Sequence, residues 1–241
     1  MFVVALGGGI AVGLSAFLSR GDDSLRAIPA DAQMTVTFDL EALTQGDPME
    51  RLFRAFAEPL AAAGYIEDPE MDIVGLVDET LETELGLTFE DDVAPWIGGS
   101  ASIGVWAPDD TDSQPDFLLS LLVQDRAGAE TFVETAFADA AGTEVESSSF
   151  EGGTMYSTTG EEQGQLWVGD DLLLVAADPE TIPAGLEAWS ADSIRDTDEY
   201  QQLVEDLPGG RIVELYTSSR FIETMNQSMG VGPSITGGLA G

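Results

Sequence analysis

EVESSSFEGGTMYSTTGEEQGQLWVGDDLLLVA, residues 144–176, carries four short runs of strand-forming residues punctuated by turn signals. The runs are residues 144–149, 154–158, 165–168 and 172–176, and the last two turn at Gly169-Asp170-Asp171. Short strands in close succession, interrupted elsewhere by helical periodicity, predict an α+β fold built on a largely antiparallel sheet with packed helices.

Upstream of this run, the spacing of Phe132, Val133, Ala136 and Phe137 predicts a helix over residues 129–141. Before that helix, residues 100–106 and 117–124 read as a β-hairpin. Its connection, PDDTDSQPD, is too long and too acidic for a tight turn. Asp-Pro steps at Asp47-Pro48, Asp68-Pro69 and Asp178-Pro179 mark helix starts, because Asp accepts from orphan N–H groups and Pro suits the first helical position. The first helix, residues 48–63, would bury Leu52, Phe53, Phe56 and Leu60 and bend at Pro59. The second sets Ile73, Val77, Leu81 and Leu85 in one stripe and stops at Gly86. Earlier still, Met34, Val36, Phe38 and Leu40 alternate with Thr35, Thr37 and Asp39, the pattern of a half-buried strand. Downstream, helices near residues 179–189 and 199–207 lead to a strand at 211–217 and a final helix from Ser219.

The N-terminus is of a different kind. Residues 2–18, FVVALGGGIAVGLSAFL, hold no charge, and about 17 apolar residues is the lower limit for crossing a bilayer core. They read as a transmembrane helix. A buried core helix is the competing reading, disfavoured by Gly7-Gly8-Gly9, which makes a poor soluble helix but suits a membrane span. Gly9 and Gly13 form a GxxxG spacing, cheap in so glycine-rich a run. There is no basic n-region and no clear cleavage site, so either the start lies upstream or the segment is an uncleaved anchor. Arg20 alone favours a cytoplasmic C-terminal side. The organisation expected is an anchor at 2–18, a polar tether at 19–30 and an ectodomain at 31–207. Residues 208–241 read as the start of a second, truncated unit. That last boundary rests on an echo: Pro29 followed by strand and helix resembles Pro208 followed by strand and helix, with Met34 and Val36 aligned on Val213 and Leu215. Duplication and coincidence both account for so short a match.

Composition narrows function more than any motif does. Among 241 residues there is no Lys, His or Cys, and 45 acids face 8 basic residues, all Arg, for a formal charge of -37. There is thus no imidazole base, thiolate or Schiff-base lysine, and without His no serine triad. Nucleic acid is excluded as a partner, since phosphates need cations to neutralise them. An acidic surface of this density suits a salty or cation-rich medium, and a genome-wide compositional bias accounts for it equally well. Carboxylate chemistry is what remains. Asp91 and Asp92, or Asp109, Asp110 and Asp112, are the candidates for a glycosidase pair or a weak divalent-cation site, although acids this numerous cluster freely. The acidic loop lacks the Gly and terminal Glu of an EF-hand. No catalytic residue, resident metal ligand or cofactor is assigned. Asn226-Gln227-Ser228 is a lone glycosylation sequon. Trp96, Trp106, Trp167 and Trp189 read as core.

Several segments together resemble the domain of unknown function DUF3352 family: Pro29-Ala30-Asp31-Ala32 opening the first strand, Glu84-Leu85-Gly86 closing the second helix, and Asp91-Asp92-Val93-Ala94-Pro95-Trp96-Ile97-Gly98. The passage around Asp125 and the step Phe150-Glu151-Gly152 add to it. The resemblance implies an N-terminal membrane anchor, an exported α+β ectodomain and no assigned activity. It opposes the orientation suggested by Arg20, and export is preferred, because a lost basic n-region outweighs one Arg. The function expected is a membrane-anchored extracytoplasmic interaction or assembly domain without catalysis, with a protein partner at the cell surface. A carrier whose apolar cavity is lined by Trp96, Trp106 and Phe137 is the alternative, and a carboxylate-dependent hydrolase is the third reading. Trp96 is expected to be buried, turning the chain from helices into the sheet.

Overall fold

The computed structural model describes residues 23–40, 81–83, 85–107, 115–141, 145–158, 164–205 and 213–222. Eight strands form one sheet: β1 (Met34–Asp39), β2 (Ile97–Trp106), β3 (Asp116–Val123), β4 (Val145–Phe150), β5 (Gly153–Thr158), β6 (Gln165–Val168), β7 (Leu172–Ala176) and β8 (Val213–Thr217). Their order is β4-β5-β6-β7-β3-β2-β1-β8, and every pairing is antiparallel. The α+β fold with an antiparallel sheet is therefore present, and the four strands of residues 144–176 fall within a residue or two of their expected bounds.

Helix α1 (Arg126–Ala141) starts three residues before its apolar stripe does. Asp125 explains the early start: its carboxylate accepts the Ala127 N–H at 3.1 Å, as a helix cap does. Helices α2 (Thr181–Ser190) and α3 (Asp198–Val204) follow β7. The Asp178-Pro179 step begins a turn rather than the helix itself, with the Asp178 carboxylate accepting from Glu180 N–H at 2.8 Å. Gly86 ends the preceding helical segment as expected. Its φ is +66°, its N–H bonds to Glu82 O at 3.0 Å, and Leu87 N–H reaches back to Leu81 O at 3.2 Å. The Gly86 bond, closed by a left-handed residue, is the αL motif of a helix C-terminus.

The sheet is covered on both sides. One face packs Phe38, Ala101, Leu119, Leu121, Tyr156, Leu166 and Leu173 against Ala129 and Val133 of α1 and against a wide helical turn at Phe89–Val93. The other face packs Leu118, Trp167, Leu172, Leu174 and Tyr216 against α2, α3 and the segment Ser24–Ala27.

That segment corrects the tether at 19–30 over residues 23–30, the part of it that is described. Leu25, Ala27 and Ile28 are buried, so these residues belong to the core. The sequence hides this because the segment offers too few residues to display a period. Strand β1 needs the same correction. Thr35, Thr37 and Asp39 are buried like their apolar neighbours, so the strand is covered on both faces.

Residues 2–18, the helix at 48–63, most of the helix ending at Gly86, the acidic loop Asp109-Asp110-Thr111-Asp112, and the tail with Asn226 lie outside the described residues. Among those described, no helix is long and apolar enough to cross a membrane.

Candidate functional site

One register row runs straight across the second face: Glu214 of β8, Thr37 of β1, Ser102 of β2, Ser120 of β3, Leu174 of β7 and Trp167 of β6. Its first four residues are polar and its last two apolar. Over the polar part lies Ser24. Its N–H donates to Ser100 Oγ at 3.3 Å, and its carbonyl accepts from Ser120 Oγ at 2.7 Å. Its hydroxyl meets Ser102 Oγ at 2.8 Å, which in turn meets Thr37 Oγ1 at 3.0 Å. Ser24, Ser100, Ser102 and Ser120 are each wholly buried. Because an unpaired buried hydroxyl costs about 1–3 kcal/mol, a hydroxyl-lined sheet needs a polar lid, and the backbone of Ser24 is that lid. Two residues further on, an apolar contact takes over: a Cβ on Gly104 would sit 2.7 Å from the Ile28 side chain. Sequence reasoning missed this site. The signal was there, in small hydroxyl residues alternating in neighbouring strands, but alternation is also what a solvated face looks like.

The rim around the lid holds two of the Arg residues. The Arg26 guanidinium lies 4.6 Å from the Trp189 ring centroid, and its Nη2 donates to Trp189 O at 3.3 Å. Arg195 pairs with Asp23 at 3.1 Å. Beside them the Ser193 hydroxyl and N–H both donate to Asp196, at 2.7 and 3.0 Å, and hold its carboxyl below the ordinary range. Pro29 bridges Ser193, and Ile194 N–H bonds to Ile28 O at 2.9 Å.

At the β8 edge, phenols of α3 and the strand stand beside carboxylates. The Tyr200 hydroxyl donates to Glu214, and the Tyr200 and Tyr216 rings meet edge to face at 5.6 Å. Burial, followed by the charge of Glu199, pushes the Tyr216 phenol up to about 12. On the opposite face burial does the same to Tyr156, helped by Glu130 and Glu134.

Of the carboxylates singled out from sequence, Asp91 and Asp92 lie among the described residues. The Asp92 carboxylate turns back to accept from Thr88 N–H at 2.8 Å, whereas Asp91 gives the turn its backbone N–H, which donates to the Thr88 hydroxyl at 3.4 Å. Among the described residues no group of three or more acids is placed to hold a metal ion. Arg126 is likewise structural. It pairs with Asp170 at 2.9 Å and Glu130 at 3.0 Å, both of which hold its guanidinium above the ordinary range, and it reaches Gly152 O at 3.1 Å, tying α1 to two turns.

Trp96 is buried as expected, at 3% exposure. Its indole N–H donates to Asp92 O at 2.6 Å, its ring lies 5.2 Å from Phe132, and its carbonyl accepts from Gln124 N–H at 2.8 Å. Gly128 lets α1 come this close, since a Cβ there would sit 2.8 Å from the Trp96 Cβ. Trp167 is buried too, and its N–H donates to Phe150 O at 2.8 Å. Trp106 and Trp189 are half-buried on the second face. Trp96 and Trp106 therefore stand on opposite sides of the sheet and do not line one cavity.

The molecule is thus an α+β domain with a two-sided antiparallel sheet, whose most distinctive feature is a polar seat for its own N-terminal segment. It belongs to the DUF3352 family of proteins of unknown function, whose family model matches residues 1–234. No curated protein and no solved structure matches the chain.

Proposed function

We propose that the chain is a membrane-tethered, extracytoplasmic domain that acts by binding or assembly and not by catalysis. The observation that carries this reading is the seat of Ser24. The apolar run at residues 2–18 is followed within a few residues by a segment hydrogen-bonded into the middle of the sheet. An anchor joined this way would present the whole domain at a fixed stand-off from the bilayer, as suits a scaffold. The hydroxyls at the seat are engaged with one another and enclosed, and no imidazole, thiol or amine side chain stands near them. Export rather than cytoplasmic exposure rests on the family resemblance, Arg20 being too weak an orienting charge to oppose it. The -37 surface, rich in carboxylates, suits a saline exterior and a partner presenting cationic or neutral groups.

Membrane fractionation of cells expressing the chain, with and without residues 2–18, tests the tether. Labelling of intact cells by an impermeant reagent or protease tests the side. The expected result is membrane recovery that is lost on deletion, together with cleavage in intact cells. Protection of residues 30–241 until lysis would overturn the orientation, and equal solubility of both forms would overturn the tether.

A further inference from the structure

The echo between Pro29 and Pro208 aligns Val36 with Leu215, Thr35 with Glu214 and Thr37 with Tyr216. In the sheet, Val36 lies directly opposite Leu215, Thr35 opposite Tyr216 and Thr37 opposite Glu214. Each residue therefore faces the counterpart of its own partner's position, which is what a two-fold axis through the Val36–Leu215 pair requires.

The relation carries a consequence for β8. Leu40 N–H bonds to Gly99 O at 2.8 Å beside β2, and Ser218 N–H bonds to Gln33 O at 2.8 Å beside β1. Antiparallel alternation then gives the even residues of β1 to β2 and its odd residues to β8. By the same alternation Val213, Leu215 and Thr217 turn their N–H and C=O groups to the outer edge, as Met34, Val36 and Phe38 turn theirs to β2. Val36 is half-buried, flanked by Ile103 and Leu215. Leu215 is 64% exposed, and among the described residues no strand stands where Ile103 would. The opposite edge is protected: β4 shows solvent Glu146, Ser147, Ser148 and Ser149. β8 has neither Pro nor Lys to deter pairing, and its one charge, Glu214, is engaged by Tyr200.

We propose that the outer edge of β8 is a strand-addition site for a partner segment patterned like β2: extended, uncharged, and carrying a β-branched residue opposite Leu215. Residues 97–106, IGGSASIGVW, are the template. A second copy is disfavoured as occupant, since two chains of -37 repel. The proposal rests on reading the chain as an interaction domain.

The test uses the purified full chain in mild detergent and a fluorescent peptide of the 97–106 sequence with a short lysine tail, followed by anisotropy. Saturable binding is expected, with about tenfold weaker binding by a scrambled peptide bearing the same tail. Leu215→Pro and Thr217→Pro each remove one outward N–H and leave the β1 ladder intact, and each should weaken binding about tenfold with an unchanged thermal melt. Equal binding of the scrambled peptide, or of both proline variants, would overturn the site. A peptide-free dimer in sedimentation that dissociates in Leu215→Pro would overturn the occupant in favour of a second copy. A chain that binds the peptide but is soluble in cells would sink only the tether, and a membrane-bound chain deaf to the peptide would sink only this proposal.

Discussion

The two faces of the sheet are built on opposite principles. The face under α1 is closed by shape: Trp96 sits between Phe132 and Gly128, and the cluster buried there is hydrophobic. The face under Ser24 is closed over its polar part by hydroxyls that match a peptide backbone, and by apolar side chains elsewhere. Apolar packing tolerates neighbours of similar volume, whereas a satisfied polar contact tolerates little else, since an orphaned hydroxyl is penalised. The first face should therefore govern how much stability there is, and the second which segment docks there.

Truncation separates the two. Trp96→Ala should cost about 3–5 kcal/mol and Leu25→Ala about 2–5 kcal/mol, read as lowered denaturation midpoints. Ser102→Ala deletes little volume but strands Ser24 and Thr37, at a cost of about 1–3 kcal/mol. The telling readout is local. Hydrogen exchange at Leu25–Ile28 should accelerate in Ser102→Ala while α1 stays protected, and in Trp96→Ala protection should fall everywhere. Uniform loss in both would mean that the two faces form one cooperative unit and the division of labour is wrong.

This contrast also separates what was legible from what was not. The strands of residues 144–176, the stop at Gly86 and the burial of Trp96 could be read because each leaves a local mark: alternation, a left-handed glycine, an aromatic at a turn. The Ser24 seat could not. Its partners are more than 70 residues away in the chain, at Ser100, Ser102 and Ser120, and Ser and Thr in strands look the same whether they face water or a lid. The starts of α1 and α2 were missed by two or three residues for a related reason, since Asp125 caps ahead of its apolar stripe and Asp178 opens a turn first.

Alkali probes the faces one tyrosine at a time. Tyr156 belongs to the first face and Tyr216 to the second, and both phenols are pushed up to about 12 from 10. A raised folded value means the stabilising form is the protonated one. Its contribution is complete below pH 10 and is lost as pH climbs from 10 towards 12. Stability should fall across that window, and Tyr156→Phe and Tyr216→Phe should each remove part of the fall. Absorbance titration of the two variants assigns the parts, and a phenol ionising at the free value in either would show that its face opens before the molecule unfolds.

Salt should have the smallest effect, and it should not discriminate between the faces. The repulsion among 45 acids is a surface property, and raising NaCl to molar levels shortens the Debye length to about 3 Å. Relief of about 1 kcal/mol would raise Tm by about 2–4 °C for a chain of this size. Because Asp39 is the one acid buried in either face among the described residues, wild type, Trp96→Ala and Ser102→Ala should rise nearly together, leaving their differences almost unchanged. Millimolar Ca²⁺ or Mg²⁺ tests the acidic loop at Asp109, Asp110 and Asp112 in the same experiment. A rise beyond that of NaCl at matched ionic strength, abolished by Asp110→Asn with Asp112→Asn, would mark binding to the folded state, and equal rises would mean screening alone. If Ser102→Ala alone gained from salt, the Ser24 seat would be opening to water, and the boundary drawn between a charged surface and an uncharged polar seam would have to move inward.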